Sequence, residues 1–178
     1  MKKIMFNDKY GLTKAVIEGR KTITRRIIKG EIPLGNWAET EKYSPYKVGE
    51  IVAIAQAYRD IYNHAYHIGL HGRTAGWDNK MFVRAYDMPH HIKITNIRVE
   101  HLQDISDEDC LRDGIYAKKL EYIPSGYNPN RTYYTFDGVD YCFNDARYAF
   151  EELIDKVSGR CTWQSNPLVW VYEFELVD

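Results

Sequence analysis

The order of hydrophobic and polar positions in the first 60 residues predicts one short helix followed by two strands. Within residues 8–18, Leu12, Ala15 and Val16 recur at helical spacing, and Gly19 follows where a helix would end. The β-favouring run at residues 21–24 comes next and is closed by a pair of arginines. After a loop, the apolar run at 51–57 is short and bounded by turns, which is typical of a buried strand.

Two further strands are predicted in the second half of the chain. Apolar residues at positions 92–99 alternate with polar ones, and the alternation slips by one between Ile94 and Ile97, as a β-bulge produces. Residues 168–177 alternate too, with Val171 on one face and Tyr172 on the other.

Two more helices are predicted in the same half. Ser106 with Asp109 three residues later resembles a capping box and predicts a short helix over residues 108–113. An acid such as Asp109 also favours the helix dipole, so no further role is predicted for it. Residues 145–158 show the clearest helical pattern of the chain. Its broad apolar stripe consists of Tyr148, Phe150, Leu153, Ile154 and Val157.

Two segments interrupt this pattern. Residues at about 60–88 contain histidines and glycines without a period, and we interpret them as a long functional or lid-like loop. Residues at about 116–143 are rich in tyrosine and turn signals and predict an inserted hairpin. No repeat or linker divides the chain. The sequence therefore predicts a single domain over residues 1–178, of the α+β class, with strands that close on themselves beside two or three helices.

The composition is that of an ordinary globular protein, with 44% hydrophobic and 28% charged residues. The net charge of −1 excludes the general basic field of a dedicated DNA-binding protein, so any contact with nucleic acid must come from a local patch. No stretch approaches the roughly 20 apolar residues of a membrane span. The first apolar run stops at Asn7, too early for a signal peptide, and we expect a cytoplasmic protein without membrane contact.

Metal and cofactor binding are not expected. His64, His67 and His71 have a spacing that suggests a metal site, but no further ligand set with recognisable spacing accompanies them. The three cysteines share no C-x-x-C spacing and are predicted to be reduced and structural.

Candidate chemistry concentrates in residues 19–26, of sequence GRKTITRR. Four cations and two hydroxyls in eight residues can hold an anion or polarise a carbonyl. Neighbouring cations should also lower the pKa of Lys21 toward the range in which a lysine acts as a base. A solvated basic turn is the other interpretation that the charges allow.

This segment resembles the signature of the ASCH domain family in the PUA-like superfamily, Gly-x-Lys-x-x-x-x-Arg after the first helix. Gly19, Lys21 and Arg26 match it position for position. The stretch is more similar to one branch, the small bacterial N(4)-acetylcytidine amidohydrolases, where it is Gly-Arg-Lys-Thr-Ile-Thr. The resemblance extends to the turn at residues 47–50 and to the last strand. It does not include the long loop at about 60–88 or the inserted hairpin at about 116–143. It implies a PUA-like β-pseudobarrel with a positively charged cleft for RNA or a modified nucleoside.

The resemblance also implies catalytic roles. A lysine, a threonine and a glutamate are held responsible for catalysis in the amidohydrolases, and Lys21 and Thr24 would be the first two. Thr24 would be the nucleophile and Lys21 its base, with Asp113 near the position of the glutamate. In a regular strand Lys21 and Thr24 would point to opposite faces, so a turn or bulge is needed between them. The other interpretation of Asp113 is a helix C-terminal residue without a special task.

Further residues are predicted to bind the ligand because they belong to the motif or carry charges, hydroxyls or loop aromatic rings near the expected cleft. A loop tryptophan can stack on a base or pack beneath the loop. The predicted ligand-binding residues are Gly19, Thr22, Arg25, Arg26, Arg59, Trp77 and Trp163.

The sequence thus favours a module that binds RNA or a modified nucleoside. One alternative is a hydrolase acting on N(4)-acetylcytidine-like substrates or on RNA itself. Another is a protein–protein adaptor that uses the tyrosine-rich hairpin.

Overall fold

The computed structural model describes residues 1–62, 75–119, 128 and 131–177, and these residues form an α+β fold, which confirms the predicted class. The strands are β1 Lys3–Ile4, β2 Ile23–Ile27, β3 Ile51–Ile54, β4 His91–His101, β5 Tyr116–Lys118, β6 Tyr133–Thr135 and β7 Leu168–Leu176. The α-helices are α1 Leu12–Ile17, α2 Trp37–Thr40, α3 Tyr58–Ile61, α4 Asp107–Arg112, α5 Ala146–Ser158 and α6 Thr162–Ser165.

A mixed sheet with the strand order β1-β3-β4-β7-β2 forms the framework. The pair β1–β3 is parallel and the other neighbours are antiparallel. The long pair β4–β7 carries a register shift between Ile94 and Asn96, where the sequence predicts a bulge. A bulge bends its strand and increases the local twist, which helps the sheet to curl.

The sheet is not closed into a barrel, because β1 and β2 are edge strands and no described strand joins them. The pseudobarrel that the resemblance implies is therefore not confirmed. The two edges do come near each other: Nη2 of Arg26, on β2, donates to the carbonyl of Met5 at 2.5 Å. We call the gap between residues 5–7 and β2 the seam.

The apolar residues that the sequence pattern assigns to the core are buried on α1, but only some of them are buried on α5. Leu12, Ala15 and Val16 are buried on α1. On α5 the buried part of the stripe is narrower than predicted, because Tyr148 is 64% and Val157 37% exposed. Asp145 caps α5 by accepting from the N–H of Arg147, and Ser106 caps α4 in the same way through Asp109.

Outside the main sheet, β5 and β6 pair antiparallel within the tyrosine-rich segment. Of the predicted loop at 60–88, residues 63–74 lie outside the described residues, and the described remainder includes two 3-10 turns at Lys80–Phe82 and Ala85–Asp87. None of the helices in the described ranges combines the length and the apolar character that a membrane crossing requires.

Candidate ligand pocket at the sheet seam

Residues 19–22 form a turn before β2. Lys21 therefore does not follow the alternation of side chains between the two faces of that strand. Gly19 adopts a φ of +72°, and the N–H of Lys21 donates to the carbonyl of Ala15 on α1 at 2.9 Å. The strand β2 begins only at Ile23. As a result, Lys21 and Thr24 line the same pocket.

That pocket lies at the seam and has a volume of about 570 Å³; we call it the seam pocket. Helix α5 provides an apolar side that includes Phe150 and Leu153. Most of the polar groups of the pocket come from β2 and its neighbours and from the residue that follows α4. They belong to Lys21, Thr24, Arg25, Arg26, Lys29 and Asp113, together with Asn7 and Ser158.

Lys21 is almost fully buried, with 2% of its surface exposed. Its ammonium donates to the main-chain carbonyl of Asp113 at 2.6 Å and also to the carboxylate of that residue. Burial lowers the pKa of Lys21, while the Asp113 carboxylate acts in the opposite direction. The direction predicted from the sequence is confirmed, but burial is a larger cause than the neighbouring arginines.

The buried guanidinium of Arg25 is held by three carboxylates. It donates to Asp113 at 2.9 Å, to Glu100 at 2.8 and 3.1 Å, and to Asp109 at 3.0 Å. Burial disfavours the charge of Arg25, but Asp113 and Glu100 outweigh it, so the pKa of this guanidinium is raised. The three nitrogens of the Arg25 guanidinium thus each donate to a carboxylate of the protein.

These contacts continue across the sheet. Arg98 on β4 donates to Glu173 on β7 at 2.6 Å, and Arg112 on α4 donates to the same carboxylate at 2.7 Å. Asp109 accepts from Arg25, Arg98 and Arg112, a role that the sequence analysis missed. We call the connected groups the ion network. Its members are Lys21, Arg25, Arg98, Arg112, Glu100, Asp109, Asp113 and Glu173.

Arg26 differs from Arg25 because it forms no ion pair with a described residue. Its side chain donates to the Met5 carbonyl, and its Nε is buried without an acceptor. The Cζ atom lies 5.6 Å from the ring centroid of Phe6. Burial lowers the pKa of Arg26. Arg26 therefore presents a poorly compensated positive charge beside the pocket.

The hydroxyl of Thr24 is also without a hydrogen-bond partner in the described part of the chain. Thr24 is 4% exposed and lines the seam pocket. Because this free hydroxyl lines the cavity, a ligand atom is a natural candidate for its hydrogen-bond partner.

The structure does not bring five of the predicted ligand-binding residues into the pocket. Gly19 lies at the exposed turn, and the Thr22 hydroxyl accepts instead from Arg112 at 3.2 Å. Arg59 is exposed and pairs with Asp78 at 2.8 Å, while its N–H donates to the Trp77 carbonyl.

Trp163, the fifth, serves in packing. Its ring lies edge-on to Phe150, with 6.2 Å between the centroids, and the Arg147 guanidinium covers it at 5.6 Å. The sequence analysis conversely missed Phe6, Lys29 and the apolar side from α5, because the stripe on residues 145–158 predicts core packing alone.

Within the described ranges no group of three or more His, Cys, Asp or Glu side chains is placed to hold a metal ion. His64, His67 and His71 lie outside the described residues.

Comparison with known proteins leaves the family open. No family model matches the chain, and no curated protein matches it. The solved structures include the crystal structure of protein EF3133 from Enterococcus faecalis V583, of the DUF984 family, to which this chain is similar with 14% identity and a TM-score of 0.43. The match covers 100% of this chain and 77% of that one. Membership of the ASCH family therefore stays a prediction from the motif at residues 19–26.

Proposed function

We propose that the chain is a PUA-like domain of the ASCH type whose seam pocket binds one nucleoside, either free or as an unstacked residue of RNA. The observation that carries this proposal is the pairing of an apolar side, with Phe150, and a polar side, with Thr24 and Arg26, in one cavity. A volume of about 570 Å³ falls in the range of small-molecule sites. It suits one nucleoside better than a helical stretch of RNA.

The main chain of β2 offers a way to recognise the base. Thr22 and Ile28 bond to β7 through their main-chain groups at 2.9 and 3.0 Å. Because the direction of these groups alternates along an antiparallel strand, those of Arg25 and Ile27 point away from β7, toward the free edge. Donors and acceptors at that edge can pair with a nucleobase, as they would with another strand.

A second candidate function is hydrolysis of an acyl amide such as N(4)-acetylcytidine. Lys21, Thr24 and Asp113, the three residues that the resemblance implies, line one pocket. In such a reaction the Thr24 oxygen would attack the acyl carbonyl, and its proton would pass through Lys21 or Asp113 to the departing amine. Water would then hydrolyse the acetyl-threonine ester and release acetate.

The test measures binding and turnover with one protein preparation. Cytidine and N(4)-acetylcytidine are titrated by calorimetry, and cytidine release is followed by chromatography, for the wild type, Thr24→Val and the matched control Thr40→Val, which lies outside the seam pocket. We expect Thr24→Val to weaken binding about ten-fold, through loss of a buried hydrogen bond, and Thr40→Val to leave it unchanged.

Three results discriminate between the candidates. Cytidine release that Thr24→Val abolishes would establish the hydrolase. Binding without release would support the binding module alone. Absence of binding of both compounds to the wild type would overturn the nucleoside proposal.

A further inference from the structure

We infer that the ligand of the seam pocket carries a phosphoryl group that Arg26 and Lys29 bind, so that it is a mononucleotide and not a neutral nucleoside. This inference rests on the proposed nucleoside site and specifies its substrate class.

The argument begins with the charges that line the pocket. Of its four cationic side chains, Lys21 pairs with Asp113, and Arg25 is shared among three carboxylates. Arg26 and Lys29 line the same cavity but form no ion pair with a residue in the described ranges. Two positive charges therefore line the pocket without a direct ion pair to a described carboxylate, although Asp113, which already binds Lys21 and Arg25, acts on Arg26 from a greater distance.

The stronger evidence for an anionic ligand comes from Arg26. A guanidinium stays protonated in proteins, so burial does not remove its charge. Its Nε is nevertheless buried without an acceptor, and an unmatched buried donor is costly. Its direct contacts are the Met5 carbonyl and the Phe6 ring, neither of which is an anion, and the Asp113 carboxylate acts on it only from a distance. An anionic ligand oxygen would supply the missing acceptor and a direct ion pair together.

A phosphate monoester matches this pair of cations. It carries about −1.5 to −2 charges at pH 7 and three acceptor oxygens, which suits one guanidinium and one ammonium. Inorganic phosphate shares this chemistry, whereas the diester of an RNA strand carries a single negative charge and fewer free acceptor oxygens. The size of the pocket and its apolar side at Phe150 favour a mononucleotide, whose base would occupy the apolar side.

The experiment is calorimetry on the full chain with cytidine, cytidine 5′-monophosphate and inorganic phosphate, at salt concentrations of about 50 and about 300 mM. We expect the monophosphate to bind at least about ten-fold more tightly than cytidine at low salt, as hydrogen bonds to charged groups produce. This advantage should shrink at high salt, because a partly exposed charge pair is screened. Both expectations concern the wild type and do not depend on a variant that folds.

The variants assign the effect to residues. Arg26→Gln should reduce the monophosphate affinity about ten-fold and should reduce the affinity for cytidine by a clearly smaller factor. Lys29→Gln should cause a smaller loss, since Lys29 is exposed. The matched controls are Arg20→Gln and Lys42→Gln, which remove cations outside the pocket and should change neither affinity.

Failure of this inference is distinct from failure of the proposed function. Equal binding of cytidine and its monophosphate would overturn the phosphoryl inference and leave the nucleoside site standing. Inorganic phosphate that binds as tightly as the monophosphate would contradict a nucleotide ligand. No binding of either cytidine compound would overturn both proposals.

Discussion

Arg25 donates to Oδ2 of Asp113 at 2.9 Å, while the other carboxylate oxygen of Asp113 accepts from the ammonium of Lys21. One carboxylate at the end of α4 thus compensates two buried cations near the start of β2. The positions of all three side chains at the pocket therefore depend on one another.

Asp113→Asn is expected to lower the free energy of unfolding by about 3–5 kcal/mol, because Lys21 would keep a buried charge without its carboxylate. Urea denaturation measures this change. Asp140→Asn, at an exposed position outside the ion network, should stay within about 0.5 kcal/mol of the wild type. A loss below about 1 kcal/mol for Asp113→Asn would mean that Lys21 is not charged in the folded protein.

Thr24→Val is expected to leave the free energy of unfolding within about 0.5 kcal/mol of the wild type, because its hydroxyl gives up no hydrogen bond in the described part of the chain. Thr40→Val is the matched comparison, since the Thr40 hydroxyl donates to the carbonyl of Asn36 at 3.0 Å. That substitution should cost about 1–3 kcal/mol in the same urea experiment. Equal costs for the two variants would contradict a free hydroxyl on Thr24.

Gly114→Ala is expected to destabilise the protein more than Gly19→Ala. Both glycines have positive φ, of +118° and +72°, where a side chain is strained by about 1–2 kcal/mol. Only at Gly114 would the new Cβ also collide, at 2.7 Å from Cδ2 of Leu12, whereas the space beside Gly19 is open. Crowding of this kind adds about 1–3 kcal/mol. Thermal unfolding of the two variants side by side tests the difference, and a lower melting temperature for Gly19→Ala would refute it.

Tyr172→Phe is expected to reduce the loss of stability at alkaline pH. Burial raises the pKa of Tyr172 from 10.0 to about 12, so the unfolded chain loses this proton first and ionisation favours unfolding. The wild type should lose about 1.4 kcal/mol at pH 11 from this group and almost nothing below pH 9. Urea denaturation at pH 8 and pH 11 gives the change in the free energy of unfolding with pH for each protein. An equal change in the wild type and in Tyr172→Phe would show that the pKa of Tyr172 is the same in the folded and the unfolded state.

Periodicity is a local property, and it predicted most of the framework. The spacing of Leu12, Ala15 and Val16 predicted α1, and the slip after Ile94 placed the bulge of β4. The resemblance at residues 19–26 also identified Lys21 as a pocket residue.

Such local patterns could not predict contacts between residues that are far apart in the sequence. The arginine pair was expected to close a strand, yet both residues lie within β2, because Glu100 and Asp109 compensate the buried Arg25 from 75 and 84 positions away. The apolar side of the pocket was missed for a related reason: a residue such as Phe150 has the same pattern whether it packs in a core or lines a cavity.

The ion network also bears on when the pocket forms during folding. Lys21 and Asp113 are separated by 92 positions, and Arg112 and Glu173 by 61. Contacts between such distant segments form slowly, because the intervening chain must be ordered before they are made. The network is complete only when β7 has joined the sheet. A nascent chain that ends before β7 would leave Arg98 and Arg112 without Glu173 and β2 without its partner strand, so the seam pocket should take shape as one of the last events of folding.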